Sequence, residues 1–184
     1  MRKVIRGLLI LFAFTMLIGM SAEAKETVKY TTPKQTALYD KKNGEEVMMV
    51  KRNTKLTIIR ENVHWAKVQY KKEKYWVQTK WLHSSKCVKK YTARKFRRAG
   101  VLRWGGKKWT WYTQRILPGR GLHIPGRHLD KNGFVCDKDD YIVVAITRSA
   151  RQKRLVVPTP FGKYGKCYDC GCGGSAWRDV YTAW

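Results

Sequence analysis

The chain has 184 residues, with 39 Lys and Arg against 13 Asp and Glu, for a net charge of +26. A hydrophobic content of 43% and an aromatic content of 12% exclude a wholly disordered polymer. The length suits one large domain or two small ones, and the charge, far beyond what solubility needs, points to an anionic partner.

The first segment reads as an address. Met1 to Arg6 carries three positive charges, Gly7 to Met20 carries none, and Ser21-Ala22-Glu23-Ala24 places small residues where a signal peptidase cuts. Residues 1–24 are therefore predicted to be a secretory signal peptide. The alternative, an uncleaved anchor, meets an apolar run shorter than the roughly 20 residues that span a bilayer. Cleavage leaves 160 residues with 36 basic and 12 acidic side chains, a net of +24, and no stable transmembrane segment. Export moves the expected partner away from nucleic acid. Outside the membrane the polyanions are teichoic-type wall polymers, lipid headgroups and acidic glycans, bound with strong salt dependence through counterion release. All five cysteines lie beyond the leader. An exported chain can hold disulfides, and an odd count leaves one thiol over.

Residues 25–36 read as a polar lead-in. From Ala37 to Ser85 the pattern is short strands, with Thr57–Ile59, Trp65–Tyr70 and Lys74–Val77 rich in β-formers. Lys71-Lys72-Glu73 supplies a charged turn. Lys51 to Ile59, Val63 to Tyr70 and Lys74 to Leu82 together resemble bacterial SH3-like domains, in the right order over about fifty residues. The resemblance implies a small barrel over 25–85 that binds peptidoglycan or its peptides. Residues 86–102 read as a basic linker, with room for a short helix. Lys86 to Lys108 holds ten Lys and Arg and no acid, which suits either a polyanion contact or a solvated tether.

Residues 103–184 read as a second β domain. Arg103 to Trp109 is predicted as a hairpin turning on Gly105-Gly106. Thr110 to Thr113 continues the strand, Leu117 to His128 is a Gly/Pro-rich loop, and Tyr141–Ile146 is a short buried strand. Leu155–Val157 and Val180–Thr182 are further strands. No stretch carries long helical periodicity, so the whole chain is predicted to be all-β, with a closed barrel in this half to remove sheet edges.

Thr110-Trp111-Tyr112, Lys166 to Gly171 and Arg178 to Tyr181 resemble elements of the double-psi β-barrel wall proteins, which include the three-aspartate, lytic transglycosylase A, rare lipoprotein A and expansin types. Stretches of this half are also similar to small exported or phage-tail proteins of Gram-positive bacteria. The resemblance implies a six-stranded double-psi β-barrel over 103–184. It implies Asp179 as the acid/base that protonates a glycosidic oxygen, and Asp169 as a second carboxylate that steadies positive charge. Thr110 and Tyr112 would line a sugar groove, and Trp111 would stack on sugar rings. Tyr181, Trp177 and Tyr112 are candidates for the apolar surround that raises an acid's pKa. The bland alternatives are a turn cap for Asp169 and an Arg pairing for Asp179. The early acid of the three-aspartate pattern is missing, with Thr147 in its place. The same resemblance implies a Cys136–Cys172 disulfide.

Two other chemistries are open to these residues. Cys167-x-x-Cys170-x-Cys172, with Cys136 or His128, has the donors of a metal site, and His123 or His128 could serve a Cys nucleophile. Neither carries a fuller signature, so no metal or cofactor is expected. His64 reads as a surface residue. The expectation is a secreted, cell-wall-associated protein that binds peptidoglycan and teichoic-type anionic polymers and cleaves glycan strands as a lytic transglycosylase. The alternative is a non-catalytic or expansin-like wall module. A basic membrane-active protein fits less well, because no long amphipathic helix is present.

Overall fold

A computed structural model describes residues 26–113, 122–171 and 173–184. The expected signal peptide lies outside these residues. Among the described residues the fold is all-β, with two short helices, and no helix is long and apolar enough to cross a membrane.

The N-terminal half is a seven-stranded antiparallel sheet. Its strands are β1 (Val28–Thr31), β2 (Gln35–Tyr39), β3 (Glu46–Lys51), β4 (Lys55–Glu61), β5 (Trp65–Tyr70), β6 (Glu73–Gln78) and β7 (Leu82–His83), in the order β3-β2-β6-β5-β4-β1-β7. The expected lead-in is thus partly structural, because β1 sits between β4 and β7. Alternation sends Leu38, Val50, Leu56, Val68 and Val77 into one core, each contributing roughly 1.5–3 kcal/mol by burial. The β5–β6 turn places Lys71 and Lys72 at φ 50° and 73°, the left-handed geometry that two-residue hairpins require.

The segment after β7 is docked rather than tethered. Thr92 caps α1 (Ala93–Ala99) by accepting the Lys95 N–H, and Gly100, at φ 68°, ends it by donating to the Phe96 carbonyl. Phe96 is fully buried and stacks on Phe161 at 4.8 Å. The Lys90 and Tyr91 N–H groups both donate to Pro160 O. Residues 89–99 therefore pack against the C-terminal sheet.

That sheet has eight strands: β8 (Val101–Trp104), β9 (Lys107–Thr113), β10 (His128–Leu129), β11 (Val135–Cys136), β12 (Ile142–Ile146), β13 (Val156–Pro158), β14 (Tyr164–Cys170) and β15 (Trp177–Thr182). Six have three or more residues, and two are two-residue additions. The β8–β9 hairpin turns on Gly105 and Gly106, at φ 58° and 67°. β12 is central. It pairs with β14 in parallel, with β15 antiparallel and with β11 at its start, while β15 pairs with β9 in parallel. Every residue of β12 is buried, because both of its faces are covered. Ile142, Val144 and Ile146 join Trp109, Phe96 and Val180 on one side, and Val143 and Ala145 join Tyr168 and Tyr181 on the other. Gly165 lets β14 approach closely, since a Cβ there would meet Val144 at 3.0 Å.

Directional polar bonds join the two halves. The Thr32 hydroxyl meets the Tyr141 hydroxyl at 2.5 Å, and both residues are fully buried. Arg52 donates to the carbonyl and carboxylate of Asp140, 3.0 and 3.1 Å away. The Asn53 amide exchanges two 2.9 Å bonds with the Cys87 backbone, and the Tyr164 hydroxyl donates to Ser85 O. Phe96→Ala tests the docking of α1. It should destabilise the protein by about 3–5 kcal/mol in denaturant unfolding, whereas a loose tether would lose almost nothing.

Candidate functional site

Register places the site. Ala145 of β12 stands opposite Asp169 of β14 on one side and Asp179 of β15 on the other. Asp179 in turn stands opposite Thr110 of β9. One row thus runs Asp169, Ala145, Asp179, Thr110 across four strands, with only a methyl group between the two carboxyl-bearing positions. A bulge in β14 beside the Val144/Ala145 step brings Tyr168 and Asp169 to this row.

Side-chain bonds confirm a shared face. The Thr110 hydroxyl donates to Asp179 Oδ1 at 2.9 Å. The Tyr181 hydroxyl donates to Asp169 Oδ2 at 2.5 Å, and the Cys170 N–H donates to Asp169 Oδ1 at 2.7 Å. Neighbouring same-face pairs are Tyr112 with Tyr181, with ring centroids 5.8 Å apart, and Lys108 over the Trp177 ring at 3.7 Å. The face therefore offers, in sequence, an aromatic–cation pair, a carboxyl–hydroxyl pair and an aromatic pair.

Thr110, Tyr112, Asp169 and Asp179 are brought together. Trp111 is not. Strand alternation turns it to the opposite face, where it packs on the core and meets Trp184 at 6.2 Å. The residue expected to stack on sugars thus does not share the carboxyl face, whereas Trp177 does. Counting parity from Asp179 along the same strand would have found it. Thr147, expected where the early acid is missing, caps α2 (Arg148–Gln152) by accepting the Ala150 N–H.

Electrostatics single out the two carboxyls. Residues 86–184 contain six Asp and no Glu. Asp130 and Asp140 pair with Lys163, Asp137 and Asp139 pair with Lys166, and Asp140 also takes Arg52. Among the described residues neither Asp169 nor Asp179 meets a Lys or Arg within ion-pair distance, despite the large excess of cations. Burial pushes the Asp179 carboxyl above the ordinary range, against the Thr110 bond, and the nearby Asp169 charge adds to the rise. Burial likewise raises the Tyr181 phenol, and its bond to Asp169 adds to this. Tyr181 thus stays a proton donor to Asp169, while burial shifts Asp179 toward its neutral form. Two acids with different environments can take different roles.

The cysteines offer less. Cys87, Cys136, Cys167 and Cys170 are free thiols, and Cys172, the expected partner of Cys136, lies outside the described residues. Cys167 is buried in the core and Cys170 is exposed at the strand end. Donor atoms of His128, Cys136 and Asp140 gather within 4.8 Å of one another. A cation is already there: Lys163 Nζ lies 2.6 Å from Asp140, 2.9 Å from Asp130 and 3.8 Å from Cys136 Sγ. Burial pushes the Cys136 thiol up to about 12, with Lys163 opposing and three Asp charges adding. That is the reverse of what a nucleophile needs, so His128 beside it does not make a catalytic pair. His64 and His123 are exposed.

The raised Asp179 carboxyl has a consequence for stability. An acid whose pKa is higher in the folded state costs folding free energy once pH exceeds its unfolded value, and the full cost is present above the folded value. Asp179→Asn keeps an acceptor for Thr110 and removes the charge. It should make the protein more stable than wild type in denaturant unfolding at pH 7, with the advantage fading as pH falls toward 4. Comparisons with family models, with characterised proteins and with solved structures found no match.

Proposed function

We propose that the protein is exported, associates with the cell wall and acts on peptidoglycan glycan strands as a lytic transglycosylase, with Asp179 as the acid/base. The observation that carries this reading is a pair of carboxyls on one face, free of cation partners in a strongly cationic chain, one of them held toward its neutral form. The resemblance to double-psi wall proteins, the resemblance of residues 25–85 to SH3-like wall-binding domains and the leader-like residues 1–24 support it.

In this mechanism Asp179, entering as the neutral acid, gives its proton to the glycosidic oxygen as the bond from that oxygen to the anomeric carbon breaks. Asp169, held by the Tyr181 hydroxyl, steadies the positive charge that builds on the anomeric carbon. The Asp179 carboxylate then removes the proton of the sugar's own 6-hydroxyl, whose oxygen bonds to the anomeric carbon. An anhydro sugar forms, Asp179 regains its proton and no water is consumed. Tyr112 and Trp177 offer faces for sugar rings on either side of the acid.

Thr147, a helix cap where the three-aspartate pattern has its first acid, favours a second reading. In it the same face binds glycan without cleaving it, as a wall-binding or wall-remodelling module. Incubation of the protein with purified sacculi, followed by mass spectrometry, separates the two. The catalytic reading expects anhydro-muropeptides, reduced about 100- to 10,000-fold by Asp179→Asn while the variant still pellets with sacculi. Pelleting without any released product, in wild type as in the variant, leaves the binding module.

A further inference from the structure

The opposite face of β15 carries a second feature. Arg178 alternates with Asp179 and so points away from the carboxyl row. It lines a cleft of about 490 Å³ between the start of the basic segment and the β8–β9 hairpin, together with Lys86, Trp104 and Lys107. A second cleft of about 400 Å³ shares Trp104 and Lys107 and adds Lys90 and Arg103. The two adjoin at Trp104, Gly105 and Lys107 of the hairpin tip and together make a trough. No Asp or Glu lines either part. Among the described residues, none of the five cations is paired with a carboxylate.

The trough is built. Trp109, almost wholly buried, lines it and donates its indole N–H to the Trp104 carbonyl at 3.1 Å, which fixes the hairpin backbone there, and its ring lies 6.1 Å from that of the half-exposed Trp104. Arg178 is anchored by two bonds to the carbonyls of Ser175 and Trp177. The docked α1 segment fixes the neighbourhood of Lys90, whose N–H is bound to Pro160 O. Cations spread along an extended trough, one of them anchored and with an indole among them, fit a chain of regularly spaced anions joined by short carbon units. A single small anion would use only one or two of the five.

We infer that this trough binds an extracytoplasmic phosphodiester polymer, with successive phosphates on Lys86, Arg178, Lys107, Arg103 and Lys90 and the intervening polyol carbons on Trp104. The choice of polymer rests on the export reading given above, whereas the trough is independent of the carboxyl row. Phosphate contacts of this number release counterions, so affinity should fall by about 100-fold between 50 and 200 mM salt.

The test is a titration of the full chain with glycerol-phosphate oligomers of about ten repeats, the length that offers more than five phosphates to the trough, read by tryptophan fluorescence. Two fourfold variants are compared after near-UV circular dichroism has shown native packing. One carries Lys86→Gln, Lys90→Gln, Arg103→Gln and Lys107→Gln. The other carries Lys41→Gln, Lys42→Gln, Lys71→Gln and Lys72→Gln on exposed turns of the N-terminal sheet. The trough variant should bind about 30-fold more weakly at 50 mM salt and lose most of its salt dependence, and the control should change by no more than about threefold. Equal losses in the two variants would overturn the site, because net charge alone would then account for binding. Tighter binding of an oligothymidylate of equal charge, or equal binding of hyaluronan, would overturn the assigned ligand. Pelleting with sacculi stripped of phosphodiester polymer reports on the glycan reading separately. Its loss, with oligomer binding intact, sinks that reading and leaves the trough standing.

Discussion

The C-terminal half depends on one strand being paired on both sides at a single residue. Ala145 is almost fully buried and stands between β14 and β15. The parallel partner supplies Asp169 and the antiparallel partner supplies Asp179. A strand slip of one residue on either side would send its carboxyl to the opposite face. The buried alternation of β12 prevents that slip, because Ile142, Val144 and Ile146 fill one core and Val143 and Ala145 the other. Packing of apolar side chains thereby fixes the placement of two acids.

Charge is distributed by the same architecture. Acids of the 130–140 region are drawn into bonds that hold the loops and join the halves. Asp137 is buried, accepts the Tyr168 hydroxyl at 2.7 Å and receives two backbone N–H groups. Asp140 ties Arg52 to Lys163. Burial alone would raise the Asp140 carboxyl, but the two cations outweigh it and hold it below the ordinary range. Asp169 and Asp179 are held instead by hydroxyl and amide donors, and burial, with the nearby Asp169 charge, raises the Asp179 carboxyl.

Strands with strong alternation were legible in the sequence. Trp65–Tyr70 and Ile142–Ile146 announce themselves by period and β-branched content, and Gly105-Gly106 by turn chemistry. β1 was hidden because only Thr31 of its four residues is fully buried, leaving no apolar stripe to read. β14 contains Gly165, Lys166 and Asp169, poor strand formers kept in place by the partners on either side. The docking of residues 89–99 was masked by their charge, since one buried Phe96 and one capped turn carry it. Asp169, Asp179, Thr110 and Tyr112 were named through resemblance, because no local pattern joins residues seventy apart. Strand parity, which the expectation for Trp111 did not apply, puts it on the face opposite the carboxyls and puts Trp177 of the paired β15 on theirs.

The seam between the halves is made of hydroxyl, amide and guanidinium groups that are wholly or partly buried, Tyr141 and Thr32 wholly so. Such bonds tolerate little rotation, since each misaligned donor would be stranded away from water. The protein is therefore closer to a caliper locked at one opening than to two beads on a string. Any ligand long enough to touch both halves would therefore meet them at one fixed spacing.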